Sequence, residues 1–306
     1  MSEEFIKNNF EDILELETVL DVFRWTVSKF NQSNIFYGHG TDNSRDEAMN
    51  LILSSIFLPL DIPDVLFSSK LTFREKKLIL NLVKKRVCKK IPVAYLINKS
   101  WFCGHQFYVD RRVIIPKSPI GELIKNRFKD IIDFYPKNIL DMCTGSACIA
   151  ISCSYEFLKS KIDAVDISEN ALKIARKNIL LHGVSNSVRL IHSNLFDKVP
   201  EKKYDLIISN PPYVSKNEFR KLPQEYSYEP KVALIAEENG LKIIRKILEI
   251  SKNFLSNKGV LICEVGTNSE IISNKYPRTV FNWIATKNGG EGIFSISRDK
   301  LKNIKK

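Results

Sequence analysis

The chain has 306 residues, 44% hydrophobic and 27% charged, a balance that supports a packed core and excludes a disordered chain. Its formal net charge of +12 is uneven: residues 1–69 hold 4 Lys/Arg against 12 Asp/Glu, residues 70–90 hold 9 against 1, and the rest hold 34 against 22. Residues 1–10 lack the basic and apolar regions of a secretory signal, and the apolar run Leu51–Leu60 falls short of the ~20 residues of a membrane span, so a cytoplasmic location is expected.

Phe10, Ile13, Leu14, Leu16, Leu20, Phe23 and Val27 recur at helical spacing, and a second helical pattern runs from Asp46 to Phe57. A third, from Thr72 to Lys89, opens on Thr72 and Glu75, the spacing of a capping box. Residues 1–90 therefore read as a small helical domain. Pro92 ends the pattern, and residues 91–115 are rich in aromatic and β-branched residues, with Asn98-Lys99 and Gly104 as turn signals. They predict a β-hairpin linker, in which Trp101, Phe102, Phe107 and Tyr108 pack between domains or form a docking patch.

From residue 116 to 306, strands alternate with helices: strands at Asn138–Asp141, Ile162–Asp166, Val188–Ile191, Tyr204–Ser209 and Val260–Glu264, with helices at Ala147–Leu158, Glu169–His182 and Gly240–Phe254. That order predicts an α/β fold, a mostly parallel sheet covered on both faces. The six cysteines form no C-x-x-C pair and have no histidine cluster nearby, so free thiols and no metal are expected.

Ligands of such sheets bind beyond the carboxyl ends of the strands. Asp141-Met142-Cys143-Thr144-Gly145-Ser146-Ala147 turns a strand into a helix through small residues, and Asp166 ends the next strand, where a carboxylate accepts the hydroxyl protons of a ribose. Together they indicate an adenosine ligand. The turn has fewer glycines than G-x-G-x-x-G and no basic residue for phosphate, which disfavours a dinucleotide and favours S-adenosylmethionine. Asp141 either orients the cationic end of that ligand or satisfies backbone donors of the turn.

Asn210-Pro211-Pro212-Tyr213 follows the strand ending at Ser209. Two prolines remove two backbone donors and leave carbonyl acceptors, a loop suited to a substrate NH2 group. An amide nitrogen is a poor nucleophile because its lone pair is delocalised. Accepting its two N–H protons at the Asn210 side chain and the Pro211 carbonyl aims it at a methyl group, with Tyr213 as an aromatic wall.

With these residues the chain resembles the bacterial glutamine N5-methyltransferases, and within them the PrmB branch, over nearly its whole length. Matching stretches include Tyr37–Asn43, Leu58–Pro63, Ile91–Leu96, Trp101–His105, Leu261–Gly266 and Asn288-Gly289-Gly290, and the branch marker is Pro116–Leu123, where the release-factor branch reads differently. The resemblance implies a seven-stranded Rossmann-like class I methyltransferase sheet and a substrate-selecting N-terminal domain. It further implies methylation of a glutamine in large-subunit ribosomal protein uL3, free or in an assembling particle; separately, the basic helix and basic main domain that follow the acidic first 69 residues suggest a setting near ribosomal RNA. The cofactor set it implies is Asp141, Cys143, Thr144, Gly145, Ser146, Asp166, Ile167, Asn194, Leu195 and Asn210. Three residues depart from the family pattern: Ala147 stands for a Gly, and Asn194 and Asn239 for Asp, the last expected at a helix N-cap. Rival readings are glutamine methylation of a release factor, adenine amino-methylation of nucleic acid, and a non-enzymatic assembly factor.

Overall fold

The computed structural model describes residues 11–287, 292–302 and 304. The start of the first helical pattern, the Asn288-Gly289-Gly290 match and the far end of the Lys-rich tail lie outside them. Two compact units emerge: Met1–Lys99 with Pro223–Tyr228, and Ser100–Leu222 with Glu229–Lys306.

The first unit is helical, with α1 at Val19–Asn31, α2 at Ser44–Ser55, α3 at Phe73–Lys89 and α4 at Val93–Ile97. Their apolar faces meet in a core that includes Val22, Trp25, Phe30, Leu51, Ile79 and Val83. The helix expected from Phe10 onward is interrupted, because Thr18 starts a new one. Its hydroxyl accepts from the Asp21 amide at 3.1 Å while the Asp21 carboxylate accepts from the Thr18 amide at 2.9 Å. Such a cap is worth about 1 kcal/mol, enough to break a pattern of continuous apolar spacing. The capping box expected at Thr72 and Glu75 is present, with bonds of 3.3 and 2.7 Å.

The predicted hairpin is shorter than its apolar composition suggests. Val93–Ile97 forms one helical turn, its first bond running from the Tyr95 amide to the Pro92 carbonyl, and Asn98 ends it in the left-handed region. The hairpin itself is β1 at Lys99–Phe102 and β2 at His105–Tyr108. Cys103 and Gly104 between them both have positive φ, 54° and 86°, as a tight two-residue hairpin turn requires. Phe102 and Phe107 are core residues of the second unit. Asn178 fastens the hairpin, receiving the Tyr108 amide at 2.8 Å and donating to the Tyr108 and Ser146 carbonyls at 3.0 and 2.9 Å.

The second unit holds α5 at Ile120–Lys125, β3 at Asn138–Met142, α6 at Cys148–Glu156, β4 at Lys161–Asp166, α7 at Glu169–Leu181, β5 at Val188–His192 and β6 at Tyr204–Ser209. Then come α8 at Lys242–Phe254, β7 at Leu255–Glu264, β8 at Asn282–Ile284 and β9 at Ile293–Ser297. The strands form one seven-stranded sheet in the order β5-β4-β3-β6-β7-β9-β8. The first five are parallel, whereas β9 pairs antiparallel with both β7 and β8. Chain order reverses between β3 and β6, which makes their carboxyl ends the switch point where a ligand binds in such sheets. This is the expected Rossmann-like sheet.

Asn239 does not cap α8: Leu241 does, and Glu238, Asn239 and Gly240 form a left-handed turn with φ of 54°, 54° and 88°. Asn suits such a turn because its short polar side chain tolerates that region. Among the described residues, no helix is long and apolar enough to cross a membrane.

Candidate functional site

The switch point opens on a cavity of about 380 Å³. Of the residues singled out from sequence, Cys143, Gly145, Asp166, Ile167, Asn194, Leu195, Asn210 and Pro212 line it. Asp141, Thr144, Ser146, Pro211 and Tyr213 are not part of that lining. Sequence reasoning overlooked Arg112 and Val113 after the hairpin, Val232 and Ala236 after the Asn-Pro-Pro-Tyr loop, and Lys242 and Lys246 on α8, all of which line the cavity. The two lysines sit one turn apart on a helix whose apolar periodicity was the only local signal.

The turn after β3 is built by two carboxylates. Asp141 is fully buried, and its Oδ2 accepts from the Thr144 hydroxyl at 2.5 Å and the Ala150 amide at 3.1 Å. Burial pushes its pKa up to about 7, against the pull of those two donors. Of the two roles open to it, the backbone-satisfying one is visible in this geometry. Asp166 works from the next strand end: Oδ2 accepts from the Gly145 amide at 2.9 Å and Oδ1 from the Ser168 amide at 2.8 Å. Its carboxylate therefore grips the Gly145 turn while still facing the cavity, and burial raises its proton affinity.

Ala147 adopts φ 64° and is fully buried. The departure from Gly thus falls on a left-handed position, where a Cβ costs about 1–2 kcal/mol. Gly145, at φ 56°, has open space around the place a Cβ would take. Its need for glycine is conformational, and the room beside it is left to a ligand.

The third strand end carries Asn210, Pro211, Pro212 and Tyr213. Pro211 is buried, while Asn210 and Pro212 face the cavity. Tyr213 is held on three sides. Its hydroxyl donates to Glu264 at 3.0 Å, its carbonyl accepts from the Asn268 amide group at 2.8 Å, and its ring lies where a side chain on Gly266 would go, 2.5 Å from such a Cβ. Glu264 and Asn268 were not expected as site residues; the sequence offers only an acidic residue closing the apolar run of β7.

The residues present fit S-adenosylmethionine: the lining combines an acidic strand end at Asp166, an open Gly145 turn and apolar walls at Ile167 and Leu195.

Residues 123–225 match the methyltransferase small domain family. The ribosomal protein uL3 glutamine methyltransferase of Francisella tularensis subsp. tularensis is 42% identical over 96% of this chain and 95% of its own length. The protein of the same name from Neisseria meningitidis serogroup A is 42% identical over 94% of this chain and 95% of its own. Among solved structures, a methyltransferase from Pyrococcus furiosus aligns with 74% of this chain and 98% of its own at 17% identity, with a TM-score of 0.46. On near-full-length identity to both curated relatives, the chain belongs to the ribosomal protein uL3 glutamine methyltransferase family.

Proposed function

We propose that the protein transfers a methyl group from S-adenosylmethionine to the side-chain amide nitrogen (N5) of a glutamine in ribosomal protein uL3. The observation that carries the reading is the placement of Asn210 at the carboxyl end of β6, on the same cavity as Asp166, in a chain 42% identical to relatives of that name.

The cofactor, when bound, supplies an electrophilic methyl group. Asp166 is the residue for its ribose hydroxyls, and Gly145 lets the backbone approach it. The Asn210 side-chain oxygen and the Pro211 carbonyl accept the two amide protons of the substrate glutamine. That arrangement orients a weak nucleophile and favours the positive charge that develops on it. The proton leaves after transfer, so no histidine base is required.

Residues 1–90 select the protein substrate, and residues 91–115 link them to the catalytic domain. The acidic charges of the first 69 residues attract a Lys/Arg-rich partner, free or in an assembling particle, with ribosomal RNA near the basic surface. The setting is cytoplasmic. Mass spectrometry of uL3 from cells with and without the gene tests the reading. One methyl group replacing an amide hydrogen of a glutamine, present only with the gene, is expected, and identical uL3 masses would overturn it.

A further inference from the structure

Glu264 ends β7, next to β6 in the sheet, and has no part in the chemistry described above. It is buried, with 5% of its surface exposed, and each carboxylate oxygen receives one hydroxyl. Ser118 donates to Oε2 at 2.5 Å and Tyr213 to Oε1 at 3.0 Å. The Ser118 oxygen in turn accepts from the Ile120 amide at 3.2 Å. A continuous chain of hydrogen bonds therefore runs from the first turn of α5, through Ser118 and Glu264, to the last residue of the Asn-Pro-Pro-Tyr loop.

Two features distinguish this from incidental packing. A carboxylate out of water is costly unless its oxygens are satisfied, and here the satisfaction comes from two side chains far apart in sequence, 146 and 51 residues away. The Tyr213 ring also fills the space that a side chain at Gly266 would take, 2.5 Å from such a Cβ, and its hydroxyl points to Glu264. Pro211 and Pro212, with φ fixed by their rings, form a stiff connection from Tyr213 back to Asn210. Locating Tyr213 therefore restricts where the backbone of Asn210 can lie. Ser118 lies in Pro116–Leu123, the stretch that carries the branch resemblance, which gives that stretch a physical task.

We propose that Glu264 is a positioning residue that sets the Asn210–Tyr213 loop through the Tyr213 hydroxyl, and that Ser118 braces the carboxylate from the other side. The proposal rests on the functional reading above in taking that loop as the catalytic one. Burial holds the proton affinity of Glu264 above the ordinary carboxylate value, and the two hydroxyl donors, Ser118 and Tyr213, offset part of that rise. The brace uses the ionised form, in which both oxygens only accept.

The test uses the full chain with three changes, Glu264→Gln, Tyr213→Phe and Ser118→Ala, and two readouts. The first is amide hydrogen exchange at Tyr213 and Val214, which reads the loop without any substrate. Glu264→Gln is expected to speed exchange about tenfold, Tyr213→Phe similarly, and the pair together no more than about threefold beyond either. The second readout is steady-state methylation of uL3. Turnover at saturating substrates should fall about tenfold or more in Glu264→Gln, with cofactor affinity within about threefold of the parent. Should Glu264→Gln fail to fold, Ser118→Ala is expected to show the same pattern in weaker form. Unchanged exchange in the folded variants, or losses that multiply in the double variant, would overturn the positioning role. Faster exchange in a protein whose parent leaves uL3 unmodified would preserve that role and sink the functional reading instead.

Discussion

Arg86 and Glu225, 139 residues apart in the chain, form a 2.9 Å ion pair inside the first unit. The same guanidinium binds Glu47 at 2.6 Å and the Phe36 carbonyl at 2.8 Å, and Arg86 is only 1% exposed. Its replacement by Leu would leave two buried carboxylates facing each other. Loss of one partner from such a network costs about 3–5 kcal/mol. Urea denaturation of Arg86→Leu should show a loss of that order, and a change under about 1 kcal/mol would mean the network relaxes freely on losing its cation.

Asp166→Ala should weaken S-adenosylmethionine binding by about 1–3 kcal/mol, the scale of a lost charge-assisted hydrogen-bond partner. Part of that loss is indirect, because Asp166 also holds the Gly145 amide. Calorimetry gives the number directly, and unchanged affinity would exclude Asp166 as a ribose ligand.

For Asn210→Ala the expectation is different in kind. The residue faces the cavity and follows the strand without bracing it, so fold and most cofactor affinity should survive. Turnover with saturating substrates should drop about 10²-fold, as removal of one preorganised polar group does. A drop below about fivefold would contradict the assignment.

The buried Asp141 gives a pH signature. Its pKa is about 7 in the folded protein against about 3.9 for an ordinary aspartate, so the folded state holds a proton that the unfolded state has released. Its contribution to stability is therefore present below about pH 4, declines as pH rises, and is gone above about pH 7. Asp141→Asn lacks this slope. Urea midpoints at pH 5 and pH 8 should fall further in the parent than in the variant. Equal falls would show that Asp141 does not titrate in that range.

Ala147→Gly should stabilise the protein by about 1 kcal/mol, since φ of 64° strains any residue with a Cβ. Thermal denaturation measures it. A lower Tm would show that burial of the Ala147 methyl outweighs the strain.

Alternation of strands and helices was legible because each β–α unit carries its own apolar period, and of the three strand-end residues singled out, Asp166 and Asn210 line one cavity while Asp141 holds the turn beside it. What escaped was decided either by local caps or by distant partners. The Thr18–Asp21 box interrupts an apolar pattern that reads as continuous, and Val93–Ile97 is helical despite its β-branched composition. Asn178 and Glu264 have ordinary sequence neighbours; their meaning comes from Tyr108, 70 residues away, and from Ser118 and Tyr213. Ala147 was legible as a departure, but only the backbone shows that it occupies a left-handed position.

The return of Pro223–Tyr228 to the first unit bears on how such a protein can be inherited. The chain passes between units three times, after Lys99, after Leu222 and after Tyr228. A recombination event with a single breakpoint at residue 99 would carry Arg86 away without Glu225, and would leave the first unit missing a piece of its own interior. The two units are therefore not cassettes that exchange freely. Exchange of the first unit would have to bring residues 223–228 along with residues 1–99.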